Sequence, residues 1–246
     1  MIQKLSNPSP AAPLFGDWPE GILWACLQNR MGAVYASEAL DSAAAVLGDF
    51  AFFAGTPDRA LLDAASVLLL VPQNGAWAGA IASHFGGAVQ PVTRYATRKD
   101  TVFAREKLDT YAHSLPNSYT IRRIDRKLYD SCSEIAWSRD LVSQYPTWEA
   151  YRAQGLGFAV LWDGVPVAGA SSYATFDGGI EIEIDTCPAE RRRGLARTCG
   201  ARLILDCLDR GLYPSWDAHD LVSLSLAEQL GYQSDKPYRT FVRRDL

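Results

Sequence analysis

The sequence predicts an α/β protein of two modules, and three observations carry that reading. The chain has 246 residues, 48% of them hydrophobic, enough for one large core or two small ones, since domains usually hold about 100 to 150 residues. From Gly32 onward, short apolar runs alternate with longer amphipathic ones, as in layered strands and helices. Leu115-Pro116-Asn117-Ser118 is a turn-rich break, so a smaller N-terminal α/β domain is expected over residues 1–115 and a second domain over 116–246.

In the first module, residues 33–36 and 50–53 read as strands and 40–47 as helical. Residues 58–64 form a short helix after Pro57, and 66–71 a buried strand. Asn74 is a suitable N-cap for a helix running to Phe85, which Gly86-Gly87 ends. Residues 89–97 follow as a strand and 100–114 as a helix. The Pro-, Ser- and Ala-rich segment 1–17 lacks the basic and apolar regions of a signal peptide and reads as a loose arm.

In the second module, 119–124 is a strand, and 128–137 and 141–152 are helices separated by Ser138-Arg139-Asp140. Residues 157–162 and 165–173 make a hairpin around Asp163-Gly164. Asp177-Gly178-Gly179 turns into a strand over 180–186. A helix over 194–209 has apolar residues at every fourth position (Leu195, Cys199, Leu203, Cys207) and stops at Gly211. A short strand over 213–217, a helix over 220–230 ended by Gly231, and a strand over 238–242 complete the order β-α-α-β-β-β-α-β-α-β. No sequence repeat is visible.

Charge and composition narrow the function. A formal charge of -4 does not suggest a polyanion-binding surface, since affinity for nucleic acid comes mainly from many cations neutralising phosphates, so nucleic acid is not an expected partner. No apolar run approaches the roughly 18 to 20 residues needed to cross a bilayer, and no membrane association is expected. The five cysteines include no Cys-x-x-Cys pair, so neither a disulfide framework nor a metal site is expected, and a reducing cytoplasmic setting fits.

The informative strand is Ile180-Glu181-Ile182-Glu183-Ile184-Asp185. With a side-chain period of two, the isoleucines share one face and Glu181, Glu183 and Asp185 the other. The loop Arg191-Arg192-Arg193-Gly194-Leu195-Ala196 follows. It puts small residues and cations at a helix N-terminus, whose free N–H groups and dipole suit a pyrophosphate. The loop is neither a Walker A sequence nor a G-x-G-x-x-G fingerprint.

In this element order, the R-x-x-G-x-A string of Arg191, Gly194 and Ala196 resembles the cofactor loop of the GNAT superfamily of N-acetyltransferases. Asp220-Leu221-Val222-Ser223, running on to Leu230-Gly231-Tyr232, is similar to that superfamily's N-x-x-A/S segment. The phrases Gly-Gly-Ile-Glu-Ile-Glu-Ile-Asp-Thr and Tyr-Pro-Ser-Trp-Asp-Ala-His resemble a bacterial two-domain subfamily that includes zwittermicin-resistance-type acetyltransferases. The resemblance implies a GNAT fold, a mixed and mostly antiparallel sheet flanked by helices. It also implies acetyl-CoA as co-substrate, and acetyl transfer by direct attack of a primary amine of a small molecule, an antibiotic or polyamine-like cation being one such acceptor. Cofactor contacts are then expected from Ile184, Asp185, Thr186, Arg191, Arg192, Arg193, Gly194, Leu195, Ala196, Arg197, Asp220 and Ser223. Acceptor contacts are expected from Trp137, Arg139 and Asp140.

An alkyl amine of pKa about 10.4 is mostly protonated at pH 7, at a cost of roughly 4 to 5 kcal/mol, so a base is useful. Glu183 is the first choice by its mid-strand position, with Glu181 and Asp185 beside it and His219 as a relay. Two departures stand out: the superfamily's Asn is Asp220, and its usual Tyr acid is Ala227. Ala227 in place of Tyr, together with an N-terminal module able to receive a signal, leaves a second reading, a non-catalytic acyl-CoA-binding or sensing protein. His84 and His113 read as structural and Cys187 as a plain strand-end residue. The first module is left to shape the acceptor pocket, to pair two copies as a homodimer, or to buttress the second.

Overall fold

The structure, a computed structural model, describes residues 1–246. They divide into two units: Met1–Ala96 together with Lys236–Leu246, and Thr97–Asp235. The first runs β1 (Ile2–Leu5), α1 (Ala12–Phe15), α2 (Gly21–Leu27), β2 (Ala33–Ser37), β3 (Ser42–Leu47), β4 (Phe50–Gly55), α3 (Arg59–Ala64), β5 (Leu69–Pro72), α4 (Gly75–Phe85) and β6 (Val89–Thr97). The second runs α5 (Arg105–Ala112), β7 (Tyr119–Arg123), α6 (Arg126–Glu134), α7 (Trp148–Gln154), β8 (Gly157–Trp162), β9 (Val165–Phe176), β10 (Gly179–Thr186), α8 (Leu195–Asp209), β11 (Tyr213–Ser215), β12 (Asp217–Ala218) and α9 (Leu221–Leu230). The last strand, β13 (Ser234–Arg243), pairs antiparallel with β5.

Several expectations are corrected. The unit boundary lies at Thr97, not at the 115–118 turn, and the C-terminal strand belongs to the first unit because β5 supplies its ladder. Residues 42–47 form a strand where a helix was expected. β3 is paired on both edges, to β2 and β4, and Ala43, Ala44 and Ala45 are buried, so sheet packing overrides alanine's helix preference. The supposed loose arm begins with β1, antiparallel to β2. The helix expected over 141–152 is broken because Pro146 cannot sit in a helix interior. A 3₁₀ turn forms at Arg139–Leu141, and α7 starts afresh behind Thr147, whose Oγ1 accepts from Ala150 N at 3.2 Å.

Each unit has its own core. Phe53, Leu61, Leu70, Trp77, Ile81 and Phe241 pack in the first. In the second, the four-residue apolar spacing of α8 places Leu195, Cys199, Leu203 and Cys207 against Ile180, Ile182 and Val160.

The two units repeat one topology that the sequence hides. Both begin β-α-α-β-β-β-α-β-α, counting the second from β7 and apart from the two-residue β12. The strand order is β1-β2-β3-β4-β5 in one and β7-β8-β9-β10-β11 in the other. In both, the first three pairings are antiparallel and the fourth parallel. The ends of those parallel pairs differ. In the first unit, Phe50–Phe53 pair with Leu69–Pro72, and the contact continues as Gln73 N donates to Phe53 O at 3.0 Å and Gln73 Oε1 accepts from Gly55 N at 3.3 Å. Trp77 Nε1 then donates to Gly55 O at 2.9 Å. A Trp77→Phe change removes that donor and part of a fully buried ring, and should destabilise the protein by about 2–3 kcal/mol in urea unfolding.

Candidate functional site

In the second unit the corresponding parallel pair opens. β11 pairs with β10 only at Gly179–Glu181, and the chain breaks step at Trp216 before the two residues of β12. β10 runs on to Thr186, held on its other side by β9. From Ile182 to Thr186, therefore, one edge of β10 has no strand beside it, an edge along which an extended ligand can lie. A bulge marks the start: Glu181 faces Ala174 and Ile182 faces Ser172, leaving Tyr173 over on β9.

Glu181 sits at the apex and is only 3% exposed. Burial pushes its pKa up, against the lowering effects of the Lys99 charge and a hydrogen bond with Ser215, while the Asp217 charge raises it further. Lys99 Nζ donates to Ser215 Oγ at 2.9 Å and to Trp216 O at 3.2 Å, fixing the end of β11. The row of three equivalent carboxylates expected from strand alternation is thus graded: Glu181 is enclosed, while Glu183 and Asp185 are half-buried. Glu183 faces Ser171 across the ladder.

Beyond the strand, the loop enters α8 through Gly194, whose φ of +81° is left-handed and which offers the helix no side-chain cap. The leading N–H groups of Leu195, Ala196 and Arg197 belong to the first turn, which an α-helix leaves without intrahelical partners. A Cβ at Gly194 would meet only Arg197 Nη2, at 3.7 Å, so the approach to the backbone is open. Arg192 also holds a left-handed φ of +62°, which costs a non-glycine residue on the order of 1 kcal/mol. The arginines divide their work. Arg191 Nε donates to Thr186 O at 3.3 Å. Arg193 lies 3.3 Å from Glu190 and donates to the Tyr119 hydroxyl at 3.1 Å, while that hydroxyl donates to Glu190 at 2.6 Å. Arg193 thus ties the loop down. Arg197 stacks over Tyr111 at 4.5 Å and reaches Gln229.

Asp185 faces Gly169 on β9. A Cβ at Gly169 would lie 2.4 Å from Leu141 Cδ1, so the missing side chain lets the 139–141 turn settle on the sheet. That seating brings the Asp140 charge to bear on Asp185. Burial and the Asp140 charge push the Asp185 pKa up to about 6, against the lowering pull of Arg191. Trp137 is half-buried and Arg139 exposed in the same segment.

Behind Glu183 lies a set of buried hydroxyls that sequence reasoning missed. Tyr151 Oη lies 2.9 Å from Ser171 Oγ, and Tyr145 Oη lies 2.7 Å from Ser172 Oγ and 3.0 Å from Thr175 Oγ1. Adjacent serines in the middle of an apolar strand, Ser171-Ser172, were the available signal.

The remaining expected residues lie around α9. Asp220 is its N-cap, accepting from Ser223 N at 2.7 Å, and pairs with His219 Nε2 at 3.2 Å. His219 is well exposed, so its visible role is at the cap. Ala227 is fully buried in the same helix.

A family model for GNAT acetyltransferases matches residues 12–241. The chain belongs to the GNAT acetyltransferase family. It is 48% identical to a GCN5-related N-acetyltransferase-like protein of Streptococcus suis, with a TM-score of 0.94 over 97% of this chain and 98% of that one. An uncharacterised N-acetyltransferase of Bacillus subtilis, YdfB, is 28% identical over 132 residues, so the match spans about half of each protein, 52% of this chain and 49% of the relative. A tandem GNAT protein from the clavulanic acid pathway shares the fold at 10% identity, with a TM-score of 0.56 over 99% of this chain and 98% of that one. GNAT enzymes use acetyl-CoA as co-substrate. The opened β10 edge, the uncapped start of α8 and the exposed Arg191 and Arg192 fit the peptide-like arm and pyrophosphate of such a molecule.

The raised Asp185 pKa has a stability consequence. Its folded pKa of about 6 lies above the ordinary value of 3.8, so the folded state holds the proton more tightly. The carboxyl then costs stability as pH rises through that interval, and the cost is complete above about pH 6. Asp185→Asn should be more stable than the parent at pH 7–8, by on the order of 1 kcal/mol after allowance for partial exposure. The difference should vanish near pH 4 in paired denaturant titrations.

Proposed function

We propose that the chain transfers the acetyl group of acetyl-CoA to a primary amine of a small cationic molecule, with Asp185 as the base. The observation that carries this reading is the half-buried Asp185 beside Asp140, on the strand whose edge is left open by β11. Bound along that edge, acetyl-CoA supplies a thioester carbonyl carbon to the amine and a thiol as leaving group.

The residues of the chain divide the remaining tasks. Arg191, Arg192 and the N–H groups at the start of α8 hold the pyrophosphate. The peptide N–H of Thr186, on the open edge of β10, meets the negative charge that grows on the carbonyl oxygen. Asp140 and Asp185 together attract an ammonium. Asp185, ionised above pH 6, takes the proton that must leave before the nitrogen lone pair is free. Asp185 is chosen as the base because its pKa of about 6 lies close to working pH and Asp140 stands by to help hold the ammonium. Glu181, shut in at the apex, shapes the fork. Thiols of pKa about 8.5 leave without a strong acid, so Ala227 in place of Tyr is compatible with turnover.

Release of CoA thiol with a panel of polyamine, aminoglycoside and amino-acid acceptors tests the reading. Asp185→Asn should lower kcat/KM by about 10²–10⁴, and the parent should show an acid limb near pH 6. Tight acetyl-CoA binding with no acceptor-dependent release would favour the sensing protein instead. Arg191→Glu should raise the acetyl-CoA Kd tenfold or more by calorimetry; an unchanged Kd would remove the pyrophosphate from this loop.

A further inference from the structure

The first unit repeats the topology of the second, yet it lacks the features that suit a coenzyme. Its parallel pair is closed by Gln73 and Trp77. Only Thr56, Pro57 and Asp58 separate β4 from α3, and the N-cap of that helix is Asp58, whose carboxylate accepts from Ala60 N at 2.8 Å. A carboxylate there repels an anion.

What the first unit does have is a cavity of about 530 Å³, within the range of small-molecule sites. The segment between α1 and α2 provides one wall, with Asp17 and Glu20 as its charged groups. β13 provides Lys236 and Arg239. Between these charges the lining is apolar and aromatic, with Phe15, Trp18, Pro72, Ala78 and Tyr238. Glu20 is a carboxylate only 3% exposed, held in the wall of the cavity. The wall is also braced: Gln73 Nε2 donates to Leu14 O at 2.7 Å while its Oε1 accepts from Gly55, linking the end of α1 to β4. Asn74 Oδ1 already takes the N–H groups of Ala76 and Trp77 at 3.0 and 3.1 Å. The cations of β13 are therefore the main anion-binding groups, not the start of α4.

We infer that this cavity binds a small zwitterion of dipeptide size, its ammonium at Asp17 and Glu20 and its carboxylate at Lys236 and Arg239. Two acids from one segment and two bases from another, around an aromatic lining, match a ligand with both charges and an apolar body. A purely cationic or purely anionic molecule would meet one pair of like charge. The segment between α1 and α2 holds the same place in its unit as Trp137, Arg139 and Asp140 hold between α6 and α7. The first unit has thus kept a small-molecule pocket where it has no coenzyme fork, which makes the cavity a ligand site without acetyl transfer.

The test is calorimetry on the full chain, without acetyl-CoA, using a set of dipeptides and their N-acetylated and C-amidated forms. Saturable binding of at least one free dipeptide is expected, and blocking either terminus should weaken it tenfold or more. Glu20→Gln and Arg239→Gln should each weaken it by a similar factor. A Cβ at Gly75, at the cavity wall, would meet nothing within 4 Å. Gly75→Trp should therefore fold and obstruct the cavity, abolishing binding, whereas Gly75→Ala should bind like the parent. Asp185→Asn should leave the dipeptide Kd unchanged, which separates this cavity from the acceptor site of the second unit. Absence of saturable binding for the whole set, persistence of binding in Gly75→Trp, or its loss in Asp185→Asn would overturn the inference.

Discussion

The parting of β10 from β11 after Glu181 is the constraint on which the candidate site depends. A parallel pair that continued to Thr186 would occupy the backbone edge of β10 and leave the uncapped start of α8 without an adjoining groove. The separation has a local cause. Ser215 and Trp216 are held by Lys99 beneath Glu181, and Trp216 lies buried in the core, so the chain leaves the ladder there. Burying Glu181 at that point is costly unless its charge is compensated or its proton retained. The Lys99 ammonium and the Ser215 hydroxyl supply part of that compensation.

The first unit is an internal control for this argument. With the same strand order and the same parallel fourth pairing, its β4 and β5 stay joined, and Gln73 and Trp77 satisfy the groups that a fork would expose. One fold therefore carries two outcomes, decided by a few side chains at the end of one strand pair. Fold alone does not assign activity to a unit.

Much of the second unit was legible in the sequence because its signals are local. The Asp163-Gly164 turn, the four-residue apolar spacing of α8 and the Gly231 helix end each act within a few residues and reappear where expected. The first unit was harder to read. Ala43, Ala44 and Ala45 favour helix in isolation and become strand only because β2 and β4 flank them. Its topology could not be completed from residues 1–115, since β13 comes from the other end of the chain. The repeat was invisible because strand order can persist without any shared residue pattern. At the site, Arg191, Gly194 and the carboxylates could be marked from their spacing. Spacing could not show that Arg193 is occupied by Glu190 and Tyr119, or that Asp140 acts on Asp185.

The acidic strand shows why alternation alone is an incomplete guide to chemistry. Glu181, Glu183 and Asp185 share a parity, yet burial decreases along β10 from the closed end to the open one. At the closed end the Glu181 carboxylate is sealed in beside Lys99 and Ser215. At the far end burial and the Asp140 charge push the Asp185 pKa up while Arg191 draws it down, and the balance leaves it near 6. Leu141 sets that balance from a distance. By packing where Gly169 has no side chain, it carries Asp140 onto the sheet. A glycine on one strand thereby tunes an acid on the next, through the backbone position of a third segment that touches both.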